Sequence, residues 1–398
     1  MRPSDADDAP AGDARAGKPR KVVVVQIALG ALLLMLLIVA RPLLGHAKAA
    51  GVLLRLGDAN TGGALRTFGA LPVTRTSLDL DLPRGKVRAY RYAADTAGPA
   101  FGMVLIHGVH HRGIDEPRLA RFADSIAATG ITVLTPEVPS LTDYRIDHDA
   151  IVEIGAAAHA LREQLGGDKP VGVLGISFAG SLALLAAADP AVGGDIGYVV
   201  TVGSYDDLAR VCRFFGTGTI ERPDGSSVAI LPHEYGPVVW IYSHLADFFP
   251  AEGLDDVRDA LREWLHENRD AAHQKAAKLP EPSRQRLEAV FAGDFAAAAP
   301  NLAASVDRYR DDLAALSPHG HLAQLKVAVF ALHGSDDRLI PSSETLWLAH
   351  DLPPGTLAYA LISRAVTHVE IGDHASFLEQ LQAVHFMAGI LAEARHPG

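Results

Sequence analysis

The chain has one cysteine in 398 residues, Cys212, so no intramolecular disulfide can staple it. A lone cysteine of this kind reads as a small buried hydrophobe rather than a catalytic thiol. Positive charge is also short: 36 Lys and Arg stand against 47 Asp and Glu, for a net charge of -11. With no basic stripe to interrupt that balance, a nucleic-acid partner is not expected. Internal repeats and heptad arrays are absent as well, which leaves a large globular unit as the natural form. At this length a core buries roughly three quarters of its unfolded surface and needs no disulfide.

One long apolar run is present, and it lies at the N-terminus. Residues 22–40 (VVVVQIALGALLLMLLIVA) carry no charge and are framed by Lys18, Arg20 and Lys21 before and Arg41 after. About 20 such residues cross the hydrocarbon of a bilayer as a helix, so the run is expected to be a transmembrane anchor. Five basic residues precede it (Arg2, Arg15, Lys18, Arg20, Lys21) and three follow soon after (Arg41, Lys48, Arg55). The positive-inside rule then puts the N-terminus in the cytoplasm and the rest of the chain outside it. A cleaved signal peptide is the competing reading, because Ala47-Lys48-Ala49 resembles a cleavage site. Residues 1–21 have the composition of a disordered tail, and residues 41–70 read as a partly ordered linker.

From residue 73 the pattern changes. Two alternating stretches around a Pro-Arg-Gly turn predict an opening hairpin. Apolar strands at 102–107, 131–135, 171–176 and 197–203 then alternate with helical periodicity at 116–129 and 147–165. Strands alternating with helices predict a mostly parallel sheet flanked by helices. Between residues 205 and 326 the alternation stops and helical spacing takes over. Phe214, Phe215, Trp240, Tyr242, Phe248 and Phe249 give that stretch rings that could roof an apolar pocket or form its own core.

The chemistry-bearing motifs sit at strand ends. Val171-Gly-Val-Leu-Gly175-Ile-Ser177-Phe178-Ala-Gly180 runs from a strand through a Gly-x-Ser-x-Ala-Gly turn into an Ala/Leu-rich helix. A sharp turn of this kind exposes a serine Oγ above a sheet, and small neighbours let its two backbone segments approach. Upstream, the strand at 102–107 ends in His107-Gly108. Downstream, another apolar strand ends in Gly334-Ser-Asp336-Asp337-Arg-Leu-Ile340-Pro341, and Gly372-Asp-His374 opens the C-terminal helix. Serine, aspartate and histidine thus follow one another in chain order, each beyond a strand's carboxyl end.

With these motifs, residues 71–204 and 322–398 resemble the α/β-hydrolase superfamily. The resemblance implies a hydrolase core over 71–204 and 327–398 with a helical cap inserted at 205–326. It further implies Ser177 as nucleophile, His374 as base and Asp337 as the acid that orients it. The backbone N–H groups of Val109 and Phe178 would form the oxyanion hole, with His107, Gly108, Gly175 and Gly180 shaping the loop and the elbow. Asp206, after the sixth strand, is an alternative acid, and His368 an alternative base. No cofactor is required.

Two further histidine groups need a reading. His107, His110 and His111 lie close enough to suggest zinc, but Gly108 falls among them and no carboxylate stands nearby before Asp115. The loop is expected to line the site without a metal. His319 and His321 read as a solvated turn. The sequence supports a serine hydrolase acting on carboxylic esters, or on thioesters or small amides. Its alternative is a catalytically silent, membrane-tethered protein that keeps the fold for binding.

Overall fold

A computed structural model describes residues 42–57, 63–95, 101–364 and 376–397. The chain divides into two compact units, residues 1–45 and 46–398. In the first, residues 42–45 are described and helical. The apolar run 22–40, with its expected membrane span, lies outside the described residues, as do His368 and His374. Among the described residues no helix is long and apolar enough to cross a membrane.

The second unit is built on one eight-stranded sheet. Its strands are β1 (Val73–Leu82), β2 (Gly85–Ala94), β3 (Phe101–Ile106), β4 (Ile131–Pro136), β5 (Val171–Ile176), β6 (Ile196–Val202), β9 (Ala328–Gly334) and β10 (Leu357–Ser363). Their spatial order is β1-β2-β4-β3-β5-β6-β9-β10. The β1–β2 hairpin and the β2–β4 pair are antiparallel, and every other pairing in this sheet is parallel. Strand β6 is buried at all seven positions, as expected for a central parallel strand covered on both faces.

Alternation along the strands feeds two apolar layers. Val104, Ile106, Val173 and Val199 point to one face, where helices His148–Gln164 and Phe178–Ala188 cover them. Met103, Leu105, Leu174 and Val200 point to the other, beneath helices Pro117–Ala127 and Phe377–Glu393. Ala49 and Val52, on a helix over residues 46–56, also pack into this second layer.

Between β6 and β9 the chain is helical, apart from a short ribbon of β7 (Thr219–Glu221) and β8 (Ser227–Ala229). Phe214, Phe215, Trp240, Tyr242, Phe248 and Phe249 are all buried within the apolar core shared by this insertion and the first layer. Those rings therefore build the insertion's own interior.

Candidate functional site

The strand order reverses between β3 and β5, and that reversal locates the site. The chain leaves β3 toward β4 on one side and leaves β5 toward β6 on the other. Such a switch point opens a crevice at the strands' carboxyl ends. Ile106 pairs with Gly175 in register, so the His107-Gly108 turn and Ser177 emerge side by side. A Cβ placed on Gly108 would stand 3.5 Å from the Ser177 Cβ.

Ser177 joins β5 to helix Phe178–Ala188 with φ 58° and ψ -132°. A non-glycine residue in such a region costs on the order of 1–3 kcal/mol, and the surroundings must hold it there. They do so through hydrogen bonds. Ser177 N–H donates to Val202 O at 2.7 Å, and Ser204 Oγ donates to Ser177 O at 2.9 Å. The turn also needs its glycines. A Cβ on Gly175 would fall 2.4 Å from Ala179 O, and one on Gly180 would fall 2.0 Å from Ser204 Oγ.

Val109 and Phe178 both line the cavity beside Ser177. Among the described residues neither backbone N–H has a backbone acceptor. The Val109 peptide is held from behind, where Tyr235 Oη donates to Val109 O at 2.6 Å. His107 braces the same turn. Its Nδ1–H donates to Gly108 O at 2.8 Å, and its Nε2 accepts from Val138 N–H at 3.1 Å. That pair of bonds requires the neutral ring, and burial pushes the His107 pKa down to about 4.

His111 stacks on His266, from the insertion, with ring centroids 4.5 Å apart. It also donates from Nδ1 to Tyr144 Oη at 3.1 Å, while Tyr144 donates to Leu265 O at 2.9 Å. Burial, followed by the neighbouring imidazoles, lowers the His111 pKa to about 4.

Asp337 lies two strands from Ser177, in the turn after β9, and is 3% exposed. Its Oδ1 accepts from Leu339 N–H at 2.8 Å and Ile340 N–H at 3.0 Å, which orients the carboxylate. His333, on β9, stands behind it. Its Nε2–H donates to Ile340 O at 2.8 Å and lies 3.4 Å from Asp337 Oδ2. Asp336, by contrast, is exposed at the cavity rim.

Ser177, Asp337, Val109, Phe178, His107 and Gly108 share one cavity of about 1110 Å³. Leu119, Phe122, Leu332 and Met387 supply apolar wall, together with Leu53 and Leu56 from the helix over residues 46–56. Asp206 does not line it. Its fully buried carboxylate faces Arg210 at 2.9 Å, and burial raises its pKa to about 7 despite that cation. Tyr235 and His333 carry no local sequence signal for their roles. Only the fold sets one behind Val109 and the other behind Asp337.

No protein-family model and no curated protein matches the chain. Several solved structures are similar to it at low identity. The 2,6-dihydroxy-pseudo-oxynicotine hydrolase is 16% identical, with 79% of this chain and 68% of that one covered and a TM-score of 0.42. The Pyrococcus horikoshii acylaminoacyl peptidase is 11% identical over 81% of this chain, with a TM-score of 0.45, and only 41% of its own length is covered. The Pyrobaculum calidifontis esterase is 14% identical, covering 88% and 91%, with a TM-score of 0.42.

Proposed function

We propose that this chain, which has the α/β-hydrolase fold, is a serine hydrolase that cuts carboxylic esters, or thioesters or small amides, through an acyl-enzyme. The observation that carries the reading is Ser177 in its strained elbow, facing the same cavity as Asp337 and the Val109 and Phe178 N–H groups. In this reading Ser177 Oγ bonds to the acyl carbon while its proton passes to His374. The leaving alcohol departs with that proton, and water then releases the acyl group by the same path reversed. Asp337 holds the imidazole and stabilises its charged form, while Val109 and Phe178 donate to the oxyanion.

The cavity, at about 1110 Å³, is slightly larger than the roughly 300–1,000 Å³ usual for small-molecule sites, and its apolar wall suits an acyl chain. The run at 22–40 would tether this hydrolase to a membrane, with the catalytic unit outside the cytoplasm. The test is covalent labelling by a fluorophosphonate, read by intact mass on the parent and on Ser177→Ala. One adduct on the parent and none on the variant is expected. Equal labelling of the two would remove Ser177 from the mechanism.

A further inference from the structure

The insertion opens and closes on two residues that sequence alone gives no reason to connect. Asp206 follows β6, and His319 lies in the Pro318-His319-Gly320-His321 turn ahead of β9. The fold joins them, with His319 N–H donating to Asp206 O at 3.0 Å. Helix Ser343–Asp351 ends beside both. His319 Nδ1 stands 2.5 Å from Asp351 Oδ2 and 3.6 Å from Asp206 Oδ2. One ligand atom from each of the three residues lies within 4.8 Å of the others. The turn is therefore not simply solvated, as its sequence suggests.

Two observations point from this cluster to a cation. Asp206 is fully buried, and among the described residues its Oδ1 has no hydrogen-bond partner. Buried polar atoms are rarely left in that state, because an unmet one forfeits its hydration. Charge is also unbalanced. Three carboxylates, Asp206, Asp207 and Glu344, gather about one largely buried guanidinium, that of Arg210, while Asp351 faces the imidazoles of His319 and His350. Arg213 approaches Asp207 at 3.9 Å from a half-exposed position.

We infer that Asp206, His319 and Asp351 bind a divalent transition-metal ion. One imidazole nitrogen and two carboxylate oxygens suit zinc, with water completing the sphere. Bonds of about 2.0–2.2 Å in a tetrahedron set ligand atoms roughly 3.3–3.6 Å apart, a spacing the His319–Asp206 pair already has. The His319–Asp351 pair widens as the Nδ1 proton leaves to solvent and the nitrogen lone pair passes to the metal. His350 Nδ1 bonds Asp351 Oδ1 at 2.7 Å and orients that carboxylate from outside. The ion would tie both ends of the insertion to the helix after β9, a role independent of the hydrolase chemistry.

The test uses the full chain, stripped with a chelator, dialysed and titrated with zinc chloride. Metal content is measured beside folding by circular dichroism. One zinc per chain is expected, with at least tenfold weaker binding in His319→Gln and in Asp351→Asn. X-ray absorption on the parent should find one nitrogen and otherwise oxygen ligands at about 2.0–2.2 Å. Failure of the parent to hold one equivalent would overturn the site. So would unchanged affinity in both folded variants, or a sphere with several imidazoles.

Discussion

At the residue scale, two aspartates compete for one role, and their surroundings separate them. Asp337 is aimed by two backbone N–H groups and lines the Ser177 cavity. Asp206 is engaged with Arg210 and His319 and does not line it. Under the proposed mechanism Asp337→Asn is expected to lower kcat by orders of magnitude, as loss of the orienting acid does in a triad. Asp206→Asn should leave kcat within a fewfold of the parent. Steady-state kinetics on an ester panel compare the two, and a larger loss in Asp206→Asn would reverse the assignment. Tyr235 supplies a subtler check. Removing its hydroxyl in Tyr235→Phe deletes the bond to Val109 O, worth about 1 kcal/mol. A drop of about fivefold in kcat with KM unchanged is expected if Val109 donates to the oxyanion.

At the element scale, the elbow was legible because its requirements are local. A strand, a serine and small residues at fixed offsets describe the turn completely, and the structure shows why. Gly180 has no room for a methyl group beside Ser204, so Gly180→Ala should destabilise the fold by about 1–3 kcal/mol, measured by urea unfolding. The ion cluster at the root of the insertion had no such signature. Arg210 reaches Glu344 across 134 positions, Nε to Oε1 at 2.7 Å, and no periodicity records that contact. Arg210→Met would leave Asp206 and Glu344 buried without their cation. A loss of about 3–5 kcal/mol is expected in the same unfolding assay. The β7–β8 ribbon was also unread, since three residues per strand are too few to establish alternation.

At the scale of the whole molecule, the two apolar layers enclose groups whose protonation couples to folding. His107 is neutral in the fold, with its pKa lowered from 6.5 to about 4. An unfolded chain binds this proton more readily between those values, so the stability from His107 is complete above pH 6.5. It is lost as pH falls toward 4, by about 2–3 kcal/mol as an order of magnitude. The difference between parent and His107→Asn isolates this effect. Urea unfolding at pH 7.5 and 4.5 should show a smaller loss on acidification in the variant, and equal losses would exclude His107 as the cause.

The sequence by itself determined the strand and helix alternation, the elbow and the chain order of serine, aspartate and histidine motifs. Each of these depends on neighbours within a few positions, through side-chain period, turn sterics or small-residue demand. Only the tertiary structure decided that Asp206 belongs to an ion cluster and Asp337 to the Ser177 cavity. It also decided that the aromatic rings of the insertion fill its interior, and that Tyr235 and His333 stand behind the Val109 peptide and Asp337. Those outcomes depend on which strand ends become neighbours in the sheet, and packing across long sequence separations sets that order.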